Sequence, residues 1–205
     1  KMALPERYMA HFALPDNKDD KLKGHYYSFD WGDVHFIVLD TSLVEEQEWL
    51  PDLFEKQKIW VEQDIKNSKK KWKVVLMHKD PLQYSFADTN RPHREEGFSD
   101  EGKTFMPIFD KVGVDLVLSA HLHTYRDRGQ IYDFKRDPKG PTYVILGLGG
   151  NVRYPGLWKD HALDTYVAPQ PETDNYTVLE ASDDQLVLTG YLPDGTELHR
   201  TVVKK

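Results

Sequence analysis

Cysteine is absent from this chain of 205 residues. No disulfide and no thiolate metal site is available, so any metal must take its ligands from His, Asp, Glu, Asn or Tyr. The absence leaves the compartment open, because disulfide-free proteins occur in oxidising and reducing surroundings alike. No apolar stretch approaches the ~20 residues that cross a bilayer, so no membrane partner is expected. No signal peptide is visible either. Positive charge is in deficit: 27 Lys and Arg face 34 Asp and Glu, for a net charge of -7. That balance argues against general affinity for nucleic acid or anionic membranes and leaves room for a local positive patch around a phosphate. Internal repeats and a clean linker are also lacking, so the chain reads as a single domain over 1–205.

What is present supports a packed core, with 39% hydrophobic and 12% aromatic residues. Residues 1–25 read as irregular, and KMALPERYMAHFALP resembles the middle of a loop more than the start of a fold. HYYSFDWGDVHFIVLDT reads as two strands joined at Gly32-Asp33. Residues 51–67 read as a helix: Leu50, Leu53, Phe54, Val61 and Ile65 form an apolar stripe broken by Gln57. KKKWK at 69–73 reads as a solvated helix end. WKVVLMH (72–78) is a short apolar strand, followed by a long polar loop. TFMPIFDKVG reads as a short helix with Thr104 as N-cap and Gly113 as C-cap. VDLVLSA and TYVILGLGG are two more buried strands. Alternation of strand and helix between 34 and 120 points to parallel pairing. YTVLEASDDQLVLTGYLPDGTELHRTVV carries three strands separated by SDD and PDG, an antiparallel meander. The fold class is therefore mixed α/β, with parallel central strands and an antiparallel end.

His78 and His121 each stand where an apolar strand stops. In parallel sheets, ligands bind beyond the carboxyl ends of the strands. In extended backbone His121 and His123 would point to one side, with Leu122 opposite. One histidine closing a strand is usually a plain polar residue; three at two strand ends point to metal ligands. Neutral imidazole suits Zn, Fe, Mn or Co without selecting among them.

VLMH at 75–78 and AHLHTYRD at 120–127 resemble the last two signatures of calcineurin-like metallophosphoesterases, and most nearly those of the purple acid phosphatase branch. Ala120 stands for the family's Gly and Arg126 for its Glu. The hairpin and GPTYVILGLGG add weaker likeness, so that the resemblance covers most of residues 1–150. It implies a β-sandwich flanked by helices and two metal ions (Fe, Zn or Mn) held ~3.5–4 Å apart. It also implies a small phosphate ester as substrate, and a secreted or cell-envelope location. His78 and His121 would ligate one ion and His123 the other. His93, in TNRPHREE, would bind phosphate or protonate the leaving group. Arg126, like Arg91 and Arg94, has the guanidinium fork that grips phosphate. Tyr125 would pack beneath the site.

The rest of the family's ligand set is not visible. G-N-H does not occur, and Asn151 and Asn175 lie late. GDVH (32–35) mimics a ligand pair but opens a strand where ligands should come after one, so Asp33 and His35 read as structural, like Asp30 and Asp40. GLGG lacks the Lys-Ser/Thr of a phosphate-binding loop. His11, His25, His161 and His199 have no motif support. YMAHFALP resembles the stretch just after the family's Asn-His-Glu signature. The expectation is thus the C-terminal portion of a metallophosphoesterase domain, without the metal-binding half that carries the bridging carboxylate. Alone it should bind metal weakly or partially, show little phosphatase activity, and form a homo-oligomer through an exposed sheet edge. The rival readings are a non-catalytic sheet module kept for binding or assembly, and a single-ion site on three histidines.

Overall fold

A computed structural model describes residues 6–19, 21–150 and 152–205. A short helix, α1 (Glu6–His11), occupies part of the stretch expected to be irregular. The hairpin forms where the sequence places it. β1 (Tyr27–Trp31) and β2 (Val34–Leu39) pair antiparallel with Trp31 opposite Val34, leaving Gly32 and Asp33 as the turn. Gly32 takes φ +54°, a conformation that glycine adopts without steric cost.

After β2 come a one-turn helix, α2 (Leu43–Glu46), and α3 (Leu53–Asn67). The buried stripe of α3 is Leu53, Phe54, Gln57, Val61 and Ile65. Its polar member has a definite task. Gln57 Oε1 accepts from the Asp40 backbone N–H at 2.7 Å, and Nε2 donates to the Asp40 carbonyl at 2.8 Å. Both groups of a buried amide are thereby satisfied, and the helix is pegged to the end of β2.

β3 (Trp72–Met77) leads into the long loop, which contains a two-residue pair, β4 (Leu82–Gln83) and β5 (Gly97–Phe98). The next helix, α4 (Asp100–Val112), begins earlier than the sequence suggests. Ser99 is its N-cap, with Oγ accepting from Gly102 N at 3.0 Å, while Thr104 donates its hydroxyl to the Asp100 carbonyl. Pro107 therefore lies inside the helix, and Gly113 ends it in the left-handed conformation.

β6 (Leu116–Ser119) is next. β7 (Tyr125–Tyr132), its short partner β8 (Lys135–Arg136) and the edge strand β10 (Tyr166–Val167) escape the sequence reading; β9 (Thr142–Leu146) does not. The large sheet runs β1-β2-β3-β6-β9-β7-β10, with β2, β3, β6 and β9 parallel. β7 is hidden because it is both charged and buried: Arg126, Asp127 and Arg128 are all internal. Arg128 donates to Asp80 Oδ2 at 2.8 Å, with neither side chain more than 1% exposed.

The meander is β11 (Tyr176–Ala181), β12 (Gln185–Tyr191) and β13 (Glu197–Lys204), a separate three-stranded sheet. Strand alternation sends Ile37, Val75, Val117 and Tyr143 to one face, where they meet Val61, Ile65, Phe105 and Phe109 of α3 and α4. It sends Val34, Val74, Leu116 and Val144 to the other, against Leu186, Leu188 and Val203 of the meander. Each such side chain contributes ~1.5–3 kcal/mol on burial. The result is a helix layer, a mixed sheet and an antiparallel sheet.

Candidate metal centre

β3 and β6 are neighbouring parallel strands, so their carboxyl ends emerge together. Ala120 N donates to the His78 carbonyl at 3.0 Å, which fixes the two strand ends side by side. Beyond that point the backbone is not extended. His121 and His123 have φ of 68° and 50°, a left-handed conformation that costs ~1–3 kcal/mol per non-glycine residue and is found at functional sites. Leu122 between them is 5% exposed and belongs to the core. Its carbonyl accepts from Trp158 Nε1 at 2.9 Å. A buried leucine thus anchors a tight turn that leaves both histidines at the surface of the cleft.

His121 Nδ1 lies 3.2 Å from His78 Nε2. Two ligands on one tetrahedral ion with bonds of ~2.0–2.1 Å would stand about 3.3 Å apart. Burial, followed by the charges of His121, His123 and Lys79, pushes the His78 pKa below its ordinary value, which favours the neutral ligand form. His123 Nδ1 is 2.9 Å from the Val152 carbonyl. A carbonyl only accepts, so Nδ1 carries the proton and Nε2 keeps its lone pair for a metal. The three histidines, with Gly147 to Gly150, line one cleft of ≈ 320 Å³. The residues present therefore fit metal ligation. They do not gather at single-ion spacing: among the described residues, the group whose ligand atoms all fall within 4.8 Å is another one.

Among the described residues, the cleft lined by the three histidines has no carboxylate in its wall, and the nearest ones stand in adjoining hollows. Glu45 shares two hollows with His121, yet its Oε2 is 2.8 Å from Lys79 Nζ. That hydrogen bond, with a lesser contribution from His121, holds its carboxyl below the usual range.

The other expected residues lie apart. His93 is 84% exposed, 3.7 Å from Glu95, and lines a separate hollow of ≈ 370 Å³ with Arg91, Arg94 and Lys159. Arg94 also lines a hollow with His121 and so borders both. The expected phosphate contact from Arg126 does not match its placement. Its guanidinium is 4% exposed, 2.6 Å from Asp164 and 3.2 Å from Asp160, and lies over the Tyr84 ring. The motif alone suggested Arg126, and its acidic partners lie more than thirty residues away. His35 bridges Asp30 and Asp64 at 2.7 and 2.8 Å, a structural clamp. Tyr125 is fully buried against Tyr166. Asn151 lies outside the described residues.

Known proteins resemble this chain in sequence and fold. The profile of the Calcineurin-like phosphoesterase family matches residues 5–125, a span that holds all three histidines. Purple acid phosphatase 15 of Arabidopsis thaliana is 30% identical over 173 residues, covering 82% of this chain and 30% of that protein. Acid phosphatase type 7 of Mus musculus is 29% identical over 208 residues, covering 87% of this chain and 46% of that protein. The solved structure of purple acid phosphatase PPD1 from yellow lupin (Lupinus luteus) seeds superposes with a TM-score of 0.59 at 16% identity, over 94% of this chain and 34% of that one. At that identity the likeness speaks for the fold alone. The chain spans 30% to 46% of the length of these two curated relatives.

Proposed function

The chain belongs to the calcineurin-like phosphoesterase family, and from that premise we propose that it supplies the histidine side of a two-metal centre hydrolysing phosphomonoesters. The observation that carries the reading is the 3.2 Å approach of His121 Nδ1 to His78 Nε2 at adjacent strand ends, with His123 on the same cleft. His78 and His121 would hold one ion and His123 its neighbour. Bound there, two ions would polarise the ester and supply a hydroxide nucleophile near neutral pH. The chain's own residues prepare for this. The lowered His78 pKa favours its neutral form, the Val152 carbonyl sets the His123 tautomer, and the left-handed turn brings His121 and His123 to the cleft. His93 is the candidate donor of a proton to the leaving oxygen, with Arg94 at the wall between its hollow and His121.

The same reading makes the chain on its own a poor catalyst. Unit charges ~4 Å apart repel by about 4 kcal/mol at an effective dielectric of ~20, and two dications by about four times that. A bridging carboxylate removes this repulsion; Glu45 beside His121 is paired with Lys79, and Asp40, which shares a hollow with His78 and His121, is paired with His25. The second ion, and the position from which hydroxide attacks, thus require acidic residues beyond this cleft. The test is p-nitrophenyl phosphate hydrolysis by this chain with added Zn²⁺, Mn²⁺ or Fe²⁺. Background turnover together with His121-dependent metal binding is expected. Rapid turnover that His121→Ala abolishes would overturn the split-site reading.

A further inference from the structure

A second group of potential ligands is drawn together by the fold, on residues without any motif. His25 stands just before β1, Asp40 just after β2, and Glu46 closes α2. All three ligand atoms lie within 4.8 Å of one another. His25 Nδ1 is 2.7 Å from Asp40 Oδ2 and 3.3 Å from Glu46 Oε2. One ring nitrogen carries one proton, so it satisfies one carboxylate and leaves the other. Asp40 takes it at the shorter distance. Glu46 Oε2 is left inaccessible to water and without a hydrogen-bond partner, an expensive state for a charged oxygen.

Asp40 is held rigidly for a ligand. Its backbone N–H and carbonyl are both bonded to Gln57, and its Oδ1 accepts from Ser42 N at 2.8 Å. Oδ2 therefore faces His25 in a fixed orientation. The site has an entrance: His25 and Asp40 line a cleft of ≈ 440 Å³ together with His78 and His121. That opening leaves room for water to complete a coordination shell.

We propose that His25, Asp40 and Glu46 bind one divalent transition-metal ion, Zn²⁺ or Mn²⁺, at a site distinct from His78, His121 and His123. An ion among them takes the Nδ1 lone pair and both carboxylate oxygens, and the orphaned Glu46 oxygen gains its partner. Two carboxylates neutralise a dication, whereas the three-histidine cleft supplies no charge. The imidazole favours Zn²⁺ or Mn²⁺ over Mg²⁺ and Ca²⁺, which prefer all-oxygen shells.

This site does not depend on the phosphoesterase reading, and the experiment separates the two. The whole chain carrying His78→Ala and His121→Ala, which removes the other site, is titrated with ZnCl₂ and MnCl₂ by calorimetry. It should retain one ion. Adding Glu46→Gln or Asp40→Asn should weaken that ion at least tenfold. In EDTA, Glu46→Gln should melt no lower than its parent, because it removes a repelled charge without changing shape. A double variant that binds no ion, or a Glu46→Gln affinity equal to the parent's, overturns the proposal. A lower melting temperature for Glu46→Gln in EDTA also overturns it, since the cluster would then be a closed ion pair.

Discussion

His35 lies on β2 and His78 directly follows β3, and their surroundings drive the two imidazoles in opposite directions. For His35, burial opposes protonation, and the hydrogen bonds to Asp64 and Asp30 with their charges outweigh it, so the pKa is raised. For His78, burial and then the neighbouring His121, His123 and Lys79 all oppose protonation, so the pKa is lowered. The signs come from linkage. The His35 contribution to stability is full below the unfolded pKa of ~6.5 and is lost as pH rises through the raised folded value. The His78 contribution is full above ~6.5 and is lost as pH falls through its depressed folded value. In EDTA, His35→Gln should therefore cost more stability at acid than at alkaline pH, and His78→Ala the reverse, measured by urea unfolding. Equal costs at both pH values would contradict these environments. The strand-end positions of His78, His121 and His123 are legible in the sequence, because an apolar run that ends in His has a local signature. The left-handed turn that presents two of them is not, since it depends on Leu122 finding the core. Nor is the burial of Arg126, whose partners Asp160 and Asp164 are distant in sequence, nor the meeting of His25 with Asp40 and Glu46.

Among the elements, α4 carries the clearest test of packing against propensity. Replacing a helical glycine with alanine normally gains ~1 kcal/mol. At Gly102 the added Cβ would lie 2.0 Å from the Pro81 carbonyl oxygen, a backbone atom. Overpacking of this kind costs ~1–3 kcal/mol, and here it must also shift the loop that leaves His78. Gly102→Ala should therefore lower the urea midpoint; an unchanged or higher midpoint would show that the Pro81 contact is not held in solution. The helix itself is legible from Phe105, Phe109 and the Gly113 cap. Its start is not, because Ser99 and Thr104 are both acceptable caps by sequence, and the choice is made by Ser99 Oγ, which also donates to the Asp80 carbonyl at 2.7 Å. The parallel strands announce themselves as short apolar runs. β7 does not, because its Arg and Asp residues are buried as pairs, and hydropathy cannot tell a paired internal charge from a surface one.

At the scale of the molecule, the meander covers one face of the large sheet with only three strands. β11 and β13 are its edges, of 6 and 8 residues. They expose Tyr176, Val178 and Val202. Apolar edges with unpaired backbone groups invite another chain, so the protein should self-associate. Light scattering at rising concentration should report more than one chain per particle; a monodisperse 23.9 kDa species throughout would contradict it. The layered α/β plan is readable from alternating patterns, whereas the pairing of the cleft's walls rests on contacts between distant segments. The central claim, that His78 and His121 share one ion while His123 serves another, is tested most directly by tracking imidazole nitrogen resonances through a Zn²⁺ titration. His78 and His121 should shift together on one binding curve, and His123 should respond only at higher zinc. Three rings moving on a single curve would point to one ion on all three histidines, and still rings at 78 and 121 would remove the metal centre from this cleft.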